Sequence, residues 1–180
     1  AGNQEGRGLA WEIERRFLVR VVNTLWYTLG DGHHYRQGYI RNGEPSVRIR
    51  TGEPRGAVLT CKIGSGIRRE EVETVVPEEM AVRLMEAAED RIVEKIRWKI
   101  GPWELDRFLG ALDGLALMEI ELGDESDPLP EAPHGVQIVR EVTDGNHFVS
   151  GRLAGLPPKK QRKLVKKAYK EVKEWTGLSD

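Results

Sequence analysis

Between Trp11 and Leu122, apolar and polar residues alternate with a period of two, the mark of strands that bury one face. In residues 11–20, Trp11, Ile13, Phe17 and Val19 alternate with Glu12, Glu14, Arg16 and Arg20, and Leu18 breaks the alternation. Further strands are predicted over residues 34–40, 46–51, 57–63, 68–76, 91–100, 103–109 and 116–122. Asn42-Gly43 is a strong hairpin signal, and Gly64-Ser65-Gly66 and Gly101-Pro102 mark further turns. Residues 23–29 fit a short helix or turn. Pro77-Glu78-Glu79 opens a helix, because proline and acidic residues suit a first helical turn. Its apolar residues Met80, Leu84, Met85 and Ala88 recur at helical spacing.

Past Leu122 the pattern changes. Residues 124–133 form a loop rich in proline and acid, 136–142 are short and apolar, and 144–153 fit a helix. A basic tail follows, with Lys159, Lys160, Arg162, Lys163, Lys166 and Lys167; Leu164, Ala168, Val172 and Trp175 share one helical face. The tail reads as a helix packed on the domain, as a lid over a mouth of the barrel, or as a partner contact. Eight short strands joined by hairpin turns predict an α+β fold: an antiparallel, closed β-barrel with flanking helices and a basic C-terminal helix. The expected division is 1–10 as a disordered leader or expression remnant, 11–156 as the barrel domain, and 157–180 as the C-terminal helix.

Composition narrows the function. Of 180 residues 32% are charged, above the ~25% of an average domain, yet the net charge is only −1. Strong local fields must therefore come from where the charges sit, and a uniformly basic nucleic-acid binder is disfavoured. The single cysteine, Cys61, allows neither an internal disulfide nor a cysteine zinc cluster and suits a reducing cytoplasm. It is expected as a buried small hydrophobe. No apolar run approaches the ~20 residues of a membrane helix. His33, His34, His134 and His147 lack zinc-ligand spacing.

The charges are sorted by strand. The polar face carries Glu12, Glu14 and Arg16 on the first strand, Arg48 and Arg50 on the third, and Lys62 on the fourth. It carries Arg69, Glu71 and Glu73 on the fifth, Lys95, Arg97 and Lys99 on the sixth, Glu104 and Asp106 on the seventh, and Glu119 and Glu121 on the eighth. Spacing of two places each set on one side of its strand. Solvated ion pairs would explain any one strand. Across eight strands, acidic pairs on the first and eighth would meet if the barrel closes, and they repel unless a cation intervenes. Hard cations prefer oxygen ligands, and the basic pairs suit a polyanion.

Glu12-Ile13-Glu14-Arg15-Arg16 resembles the E-x-E-x-K opening of the CYTH superfamily, the triphosphate tunnel metalloenzymes. The likeness continues through Gln37-Gly38-Tyr39, Val47-Arg48-Ile49-Arg50, Leu59-Thr60-Cys61-Lys62 and Arg69-Glu70-Glu71-Val72-Glu73. It also takes in Glu94-Lys95-Ile96-Arg97-Trp98, Trp103-Glu104-Leu105-Asp106, Glu119-Ile120-Glu121-Leu122 and Glu141-Val142-Thr143-Asp144. The resemblance covers the chain from about Trp11 to Leu156. The resemblance implies a tunnel with inward charges, dependence on Mg²⁺ or Mn²⁺, and an inorganic or organic triphosphate as substrate. It assigns Glu12, Glu14, Glu119 and Glu121 as metal ligands, with Glu71, Glu73 and Asp106 as supporting or second-metal candidates. It assigns Arg48, Arg50, Lys62, Arg69, Lys95 and Arg97 to phosphates; a metal-held water attacking the terminal phosphorus would then be oriented by Glu119 or Glu121, which the sequence does not separate. Arg16 stands where the signature has lysine, a planar fork in place of a point charge, and is the third catalytic candidate.

The short Glu-Ile-Glu-Arg and Gln-Gly-Tyr elements resemble the inorganic triphosphatase branch most. An adenylate cyclase or thiamine triphosphatase of the same superfamily is the alternative enzyme. A polyphosphate- or nucleotide-binding module, or an RNA-end binder using the basic tail, is the non-enzyme alternative. Apolar side chains outside the barrel serve either as core against helices or as a homodimer surface.

Overall fold

The computed structural model describes residues 10–144, 146–170 and 172. Nine strands form one antiparallel sheet: β1 (Ala10–Val21), β2 (His33–Arg41), β3 (Ser46–Glu53), β4 (Gly56–Ile63), β5 (Arg68–Val76), β6 (Ile92–Ile100), β7 (Trp103–Phe108), β8 (Ala116–Glu121) and β9 (Val136–Glu141). Their order is β5-β4-β3-β2-β6-β7-β8-β1-β9, and β5 also pairs with β1, which closes the first eight into a barrel. The helices are α1 (Asn23–Thr28), α2 (Glu78–Ala87), α3 (Ser150–Gly155) and α4 (Pro158–Ala168), with 3₁₀ turns at Gly110–Leu112 and Asn146–Phe148.

The eight expected strands are present within a residue or two. Residues 136–142, read as merely short and apolar, form β9. The helix expected over 144–153 is split into a 3₁₀ turn and α3. Residues 1–9 and Trp175 lie outside the described residues, and Val172 lies beyond the end of α4.

β1 organises the closure. One of its edges pairs Ala10–Ile13 with β5 and Phe17–Val21 with β9, the latter with a register shift between Leu18 and Val19. Its other edge pairs Glu14–Leu18 with β8. Arg15, on the outer wall, donates two hydrogen bonds to the Glu141 carboxylate at 2.8 and 2.6 Å. The Thr143 hydroxyl accepts from the Arg16 amide at 3.0 Å and donates to Glu141 at 2.7 Å.

Three apolar clusters explain why the barrel carries charge inside. Phe17, Val19, Trp103, Leu105, Met118, Ile120 and Val136 cover one outer wall beneath α1. Ile49, Val76, Ala81 and Met85 bury another beneath α2. Gly38 lets α2 approach, since a Cβ there would lie 2.7 Å from Met85 Sδ and 2.8 Å from Ala88 Cβ. Each fully buried side chain of this size stabilises by ~1.5–3 kcal/mol.

The third cluster sits at one end. Leu18, Tyr39, Val93, Phe108 and Leu117 keep the inward parity of their charged neighbours but pack against Phe148, Leu153, Ala154 and Ala168. Leu18 therefore breaks the alternation because it belongs to the wall that seals this end. α4 packs there through Leu164 and Val165, and the Tyr169 hydroxyl donates to Val19 O at 2.8 Å.

α2 covers the Ala57, Leu59 and Val76 end of the β4–β5 outer wall, and among the described residues no helix covers the end that carries Cys61, Ile63 and Val72. Cys61 is consequently half-buried rather than the buried hydrophobe its strand position suggested, beside the exposed Val72 and Ile63. Among the described residues, no helix is long and apolar enough to cross a membrane.

Candidate active site

The inward side chains enclose a cavity of about 690 Å³, within the size range of small-molecule sites. Of the site residues expected from sequence, all but Asp106 line it: Glu12, Glu14, Arg16, Arg48, Arg50, Lys62, Arg69, Glu71, Glu73, Lys95, Arg97, Glu119 and Glu121. Asp106 is only 1% exposed and lies beneath Lys95 and Arg97.

Antiparallel register brings these groups together. Arg16 stands opposite Glu119 across β1–β8, and Glu104 stands opposite Glu119 across β7–β8. The Arg16 Nε donates to Glu119 Oε1 at 2.8 Å, and its terminal nitrogen donates to Glu14 Oε1 at 3.0 Å. Arg97 grips Asp106 at 2.6 and 2.7 Å, reaches Glu119 Oε2 at 3.1 Å and pairs with Glu104. Lys95 donates to Asp106 at 2.5 Å. On the facing wall Lys62 binds Glu12 at 2.8 Å and Glu71 at 3.2 Å, and Arg69 lies 3.5 Å from both Glu12 and Glu14.

Burial would otherwise keep Glu119 and Asp106 neutral. Arg16, Arg97 and Lys95 override that cost for Glu119, and Arg97 and Lys95 do so for Asp106, so both carboxyls sit below their ordinary range. Burial, helped by Arg97, lowers the Lys95 ammonium to about 8 against the pull of Asp106. Glu14 and Glu121 are instead raised, by burial first and then by neighbouring carboxylates.

Nine basic and eight acidic side chains line the cavity, so it is nearly neutral by itself. Three guanidinium Nε atoms, of Arg48, Arg50 and Arg69, are buried without a hydrogen-bond partner in the protein. Arg48 has no carboxylate within ion-pair distance among the described residues. The Tyr39 phenol and the Glu71 carboxylate are the groups around it that favour its charge.

Among the described residues no three acidic or histidine side chains form a ready cage for a metal ion. Arg16, Lys62 and Arg69 stand between Glu12, Glu14 and Glu119. The donors themselves fit a hard cation: they are carboxylate oxygens, and the raised Glu14 and Glu121 are crowded by like charge that a cation would relieve.

No family model matches the chain. An inorganic triphosphatase of Acetivibrio thermocellus is 35% identical over 169 residues, covering 91% of this chain and 98% of that protein. The chain belongs to the inorganic triphosphatase family. A second inorganic triphosphatase, from Nitrosomonas europaea, is 34% identical over 124 residues, covering 63% of this chain and 78% of that protein. The solved structure of the inorganic triphosphatase NE1496 matches with a TM-score of 0.54 at 30% identity, over 82% of this chain and 96% of that one.

Several lining groups of this triphosphatase-family chain escape the period-two rule. Glu53 pairs with Arg50, yet its odd number places it on the wrong face until the register shift between Arg50 and Glu53. Arg55 lies in the following turn and meets Glu73 at 2.5 Å. Tyr35 and Tyr39 were readable by parity, but as aromatics they were not counted with the charges. Val149 and Ser150 reach the lining from the start of α3, which no strand pattern signals. No residue of α4 lines the cavity.

Proposed function

We propose that this chain is a triphosphate tunnel metalloenzyme of the CYTH type that hydrolyses inorganic tripolyphosphate with Mg²⁺ or Mn²⁺. Three unpartnered guanidinium Nε atoms inside a closed barrel carry the reading. A buried N–H without an acceptor is costly, and a polyanion threaded among Arg48, Arg50 and Arg69 removes that cost. The names of the two curated relatives support the choice of an inorganic substrate.

Charge balance supports the metals. A tripolyphosphate brings about four to five negative charges, which a nearly neutral lining does not offset without divalent cations. Glu12, Glu14, Glu119 and Glu121 are the residues that would hold them. A bound Mg²⁺ or Mn²⁺ would draw charge from the phosphoryl oxygens as the bond breaks.

The chain's own groups divide the work. Arg48, Arg50, Lys62, Arg69, Lys95 and Arg97 bind and orient the phosphates. Arg16 stands between Glu14 and Glu119 and favours the ionised form of Glu119. Glu119 is tied by Arg16 and Arg97 and is poorly placed to accept a proton. Glu121 has no ion pair among the described residues, lies at the exposed rim, and has a raised pKa. It is therefore the better group to orient the attacking water.

Phosphate release from tripolyphosphate, ATP and thiamine triphosphate, measured with each metal beside pyrophosphate and cyclic nucleotide, tests the reading. Fastest phosphate release from tripolyphosphate is expected. Cyclic nucleotide as the main product would make the chain a cyclase, and binding without any product would make it a module. Undiminished turnover in Glu121→Gln would remove Glu121 from its role.

A further inference from the structure

Glu53 and Arg55 enter the cavity from outside the strand alternation. On β3 the even-numbered Arg48 and Arg50 point inward, so Glu53 would face out if the ladder ran on unbroken. The ladder instead jumps from Arg50 opposite Val58 to Glu53 opposite Gly56. Gly52 permits the jump: its φ is +94°, and a Cβ there would lie 1.9 Å from His34 O, closer than a side-chain carbon can approach. The chain thereby turns an acid inward, next to an arginine of the phosphate set.

That acid occupies Arg50. A terminal nitrogen of Arg50 donates to Glu53 Oε1, and the two side chains are only 12% and 10% exposed, so salt and water screen the pair weakly. The Arg50 Nε is buried without a partner. An anion seated against this Nε therefore meets the Glu53 carboxylate beside it. Arg50 is also crowded: burial first, then Arg48 and Arg97, disfavour its charge, and Glu53 opposes them. Glu53 thus gives Arg50 the counter-charge that a bound phosphate would give.

Arg55 offers Glu53 another partner. It stands in the turn between β3 and β4, and Glu73 on β5 anchors it through a terminal nitrogen at 2.5 Å. Its Nε lies 3.7 Å from Glu53 Oε2, within ion-pair distance and beyond a hydrogen bond. A small rotation of the Glu53 carboxylate toward Arg55 exchanges one guanidinium for the other. The carboxylates on Lys62 and Arg69 include Glu12 and Glu14, which a metal ion would take over. Glu53 lies outside that set, and Arg55 is the cation placed to receive it.

We infer that Glu53 is a built-in competitor for the phosphate seat at Arg50, with Arg55 as its alternative partner, so that substrate and product are both held less tightly there and the product leaves more readily. This rests on the triphosphate reading above. Release of one phosphate from tripolyphosphate by water leaves pyrophosphate, a polyanion that the same cations attract. As pyrophosphate departs, Glu53 returns to Arg50.

The test is calorimetric binding of tripolyphosphate and of pyrophosphate to the full chain without added metal, set beside KM and inhibition by pyrophosphate with Mg²⁺. Glu53→Gln should tighten both ligands about 5- to 30-fold, between the worth of an exposed and of a buried ion pair, and should deepen pyrophosphate inhibition by a similar factor. Structural damage would weaken binding instead. Glu53→Asp, too short to hold Arg50 fully, should shift both ligands the same way by less, and serves if Glu53→Gln fails to fold. Arg55→Met should weaken both ligands about threefold in the unaltered chain and change them less than twofold in a Glu53→Gln background. Unchanged or weaker binding in Glu53→Gln would overturn the competition. So would a full Arg55→Met loss in the Glu53→Gln background, which would make Arg55 a direct phosphate contact. Failure of the unaltered chain to bind or hydrolyse tripolyphosphate with Mg²⁺ would overturn the triphosphate reading itself, and the competition with it.

Discussion

Glu14 and Glu121 stand directly opposite each other across the β1–β8 pair, two carboxylates facing into one cavity. Like charges so placed are destabilising, by about 0.2–1 kcal/mol before screening. Glu121→Gln should therefore stabilise the metal-free chain at neutral pH, raising Tm by up to about 4 °C. The sign of the pH dependence follows from the raised carboxyls. The folded state holds these protons more tightly than the unfolded chain, so their contribution is present below 4.5 and is lost as pH rises through the folded values. Thermal melts across the weakly acid range should show a flatter fall in Glu121→Gln than in the unaltered chain.

Lys95 predicts an alkaline limit on binding. Its ammonium, lowered to about 8, is charged below that pH and loses its charge above it. A neutral amine no longer attracts phosphate, so kcat/KM for tripolyphosphate should fall above about pH 8. Lys95→Arg, which stays charged, should hold kcat/KM level across that range even if its absolute value drops. An unchanged alkaline limb in Lys95→Arg would assign the limit to another group.

Arg16 lies between the buried Glu119 and the partly buried Glu14. Arg16→Met strips Glu119 and Glu14 of their shared partner. Breaking such a pair from one side costs about 3–5 kcal/mol, a Tm loss on the order of 10 °C for a chain of this size. Glu119 is held below its ordinary range by Arg16 first, so its stabilisation is present at neutral pH and lost as pH falls through the folded value. The deficit of Arg16→Met should accordingly shrink in acid, which denaturation by urea at two pH values would show.

Tyr169 ties the end of the C-terminal segment to the barrel, accepting from Ala116 N at 3.1 Å and donating to Val19 O at 2.8 Å. Tyr169→Phe leaves both backbone groups short of a partner and should cost about 1–3 kcal/mol. Tripolyphosphate KM should barely change, because neither Tyr169 nor α4 lines the cavity.

Much of this was legible in the residues. A period of two fixes facing, so Glu12, Glu14, Arg48, Lys95 and Glu119 could be placed on one surface before any register was known. What the period does not encode is closure. That Arg16 meets Glu119, or that Glu12 meets Lys62 across 50 positions, depends on the stagger of the barrel. Leu18 looked like an exception because the interior changes from ionic to apolar along a single strand. Glu53 was hidden by a register shift, and β9 by the absence of a charged face to mark it. Asp106 had the right parity but sits behind two cations, a matter of depth that alternation leaves open.

β1 is synthesised before every other strand described here, yet its partners are β5, β8 and β9. It must wait through the emergence of more than a hundred residues before its second edge is covered, a non-local topology of the kind that folds slowly. Until Glu141 has left the ribosome to grip Arg15, a nascent chain carries an open edge and an array of unmatched ions in place of a catalyst.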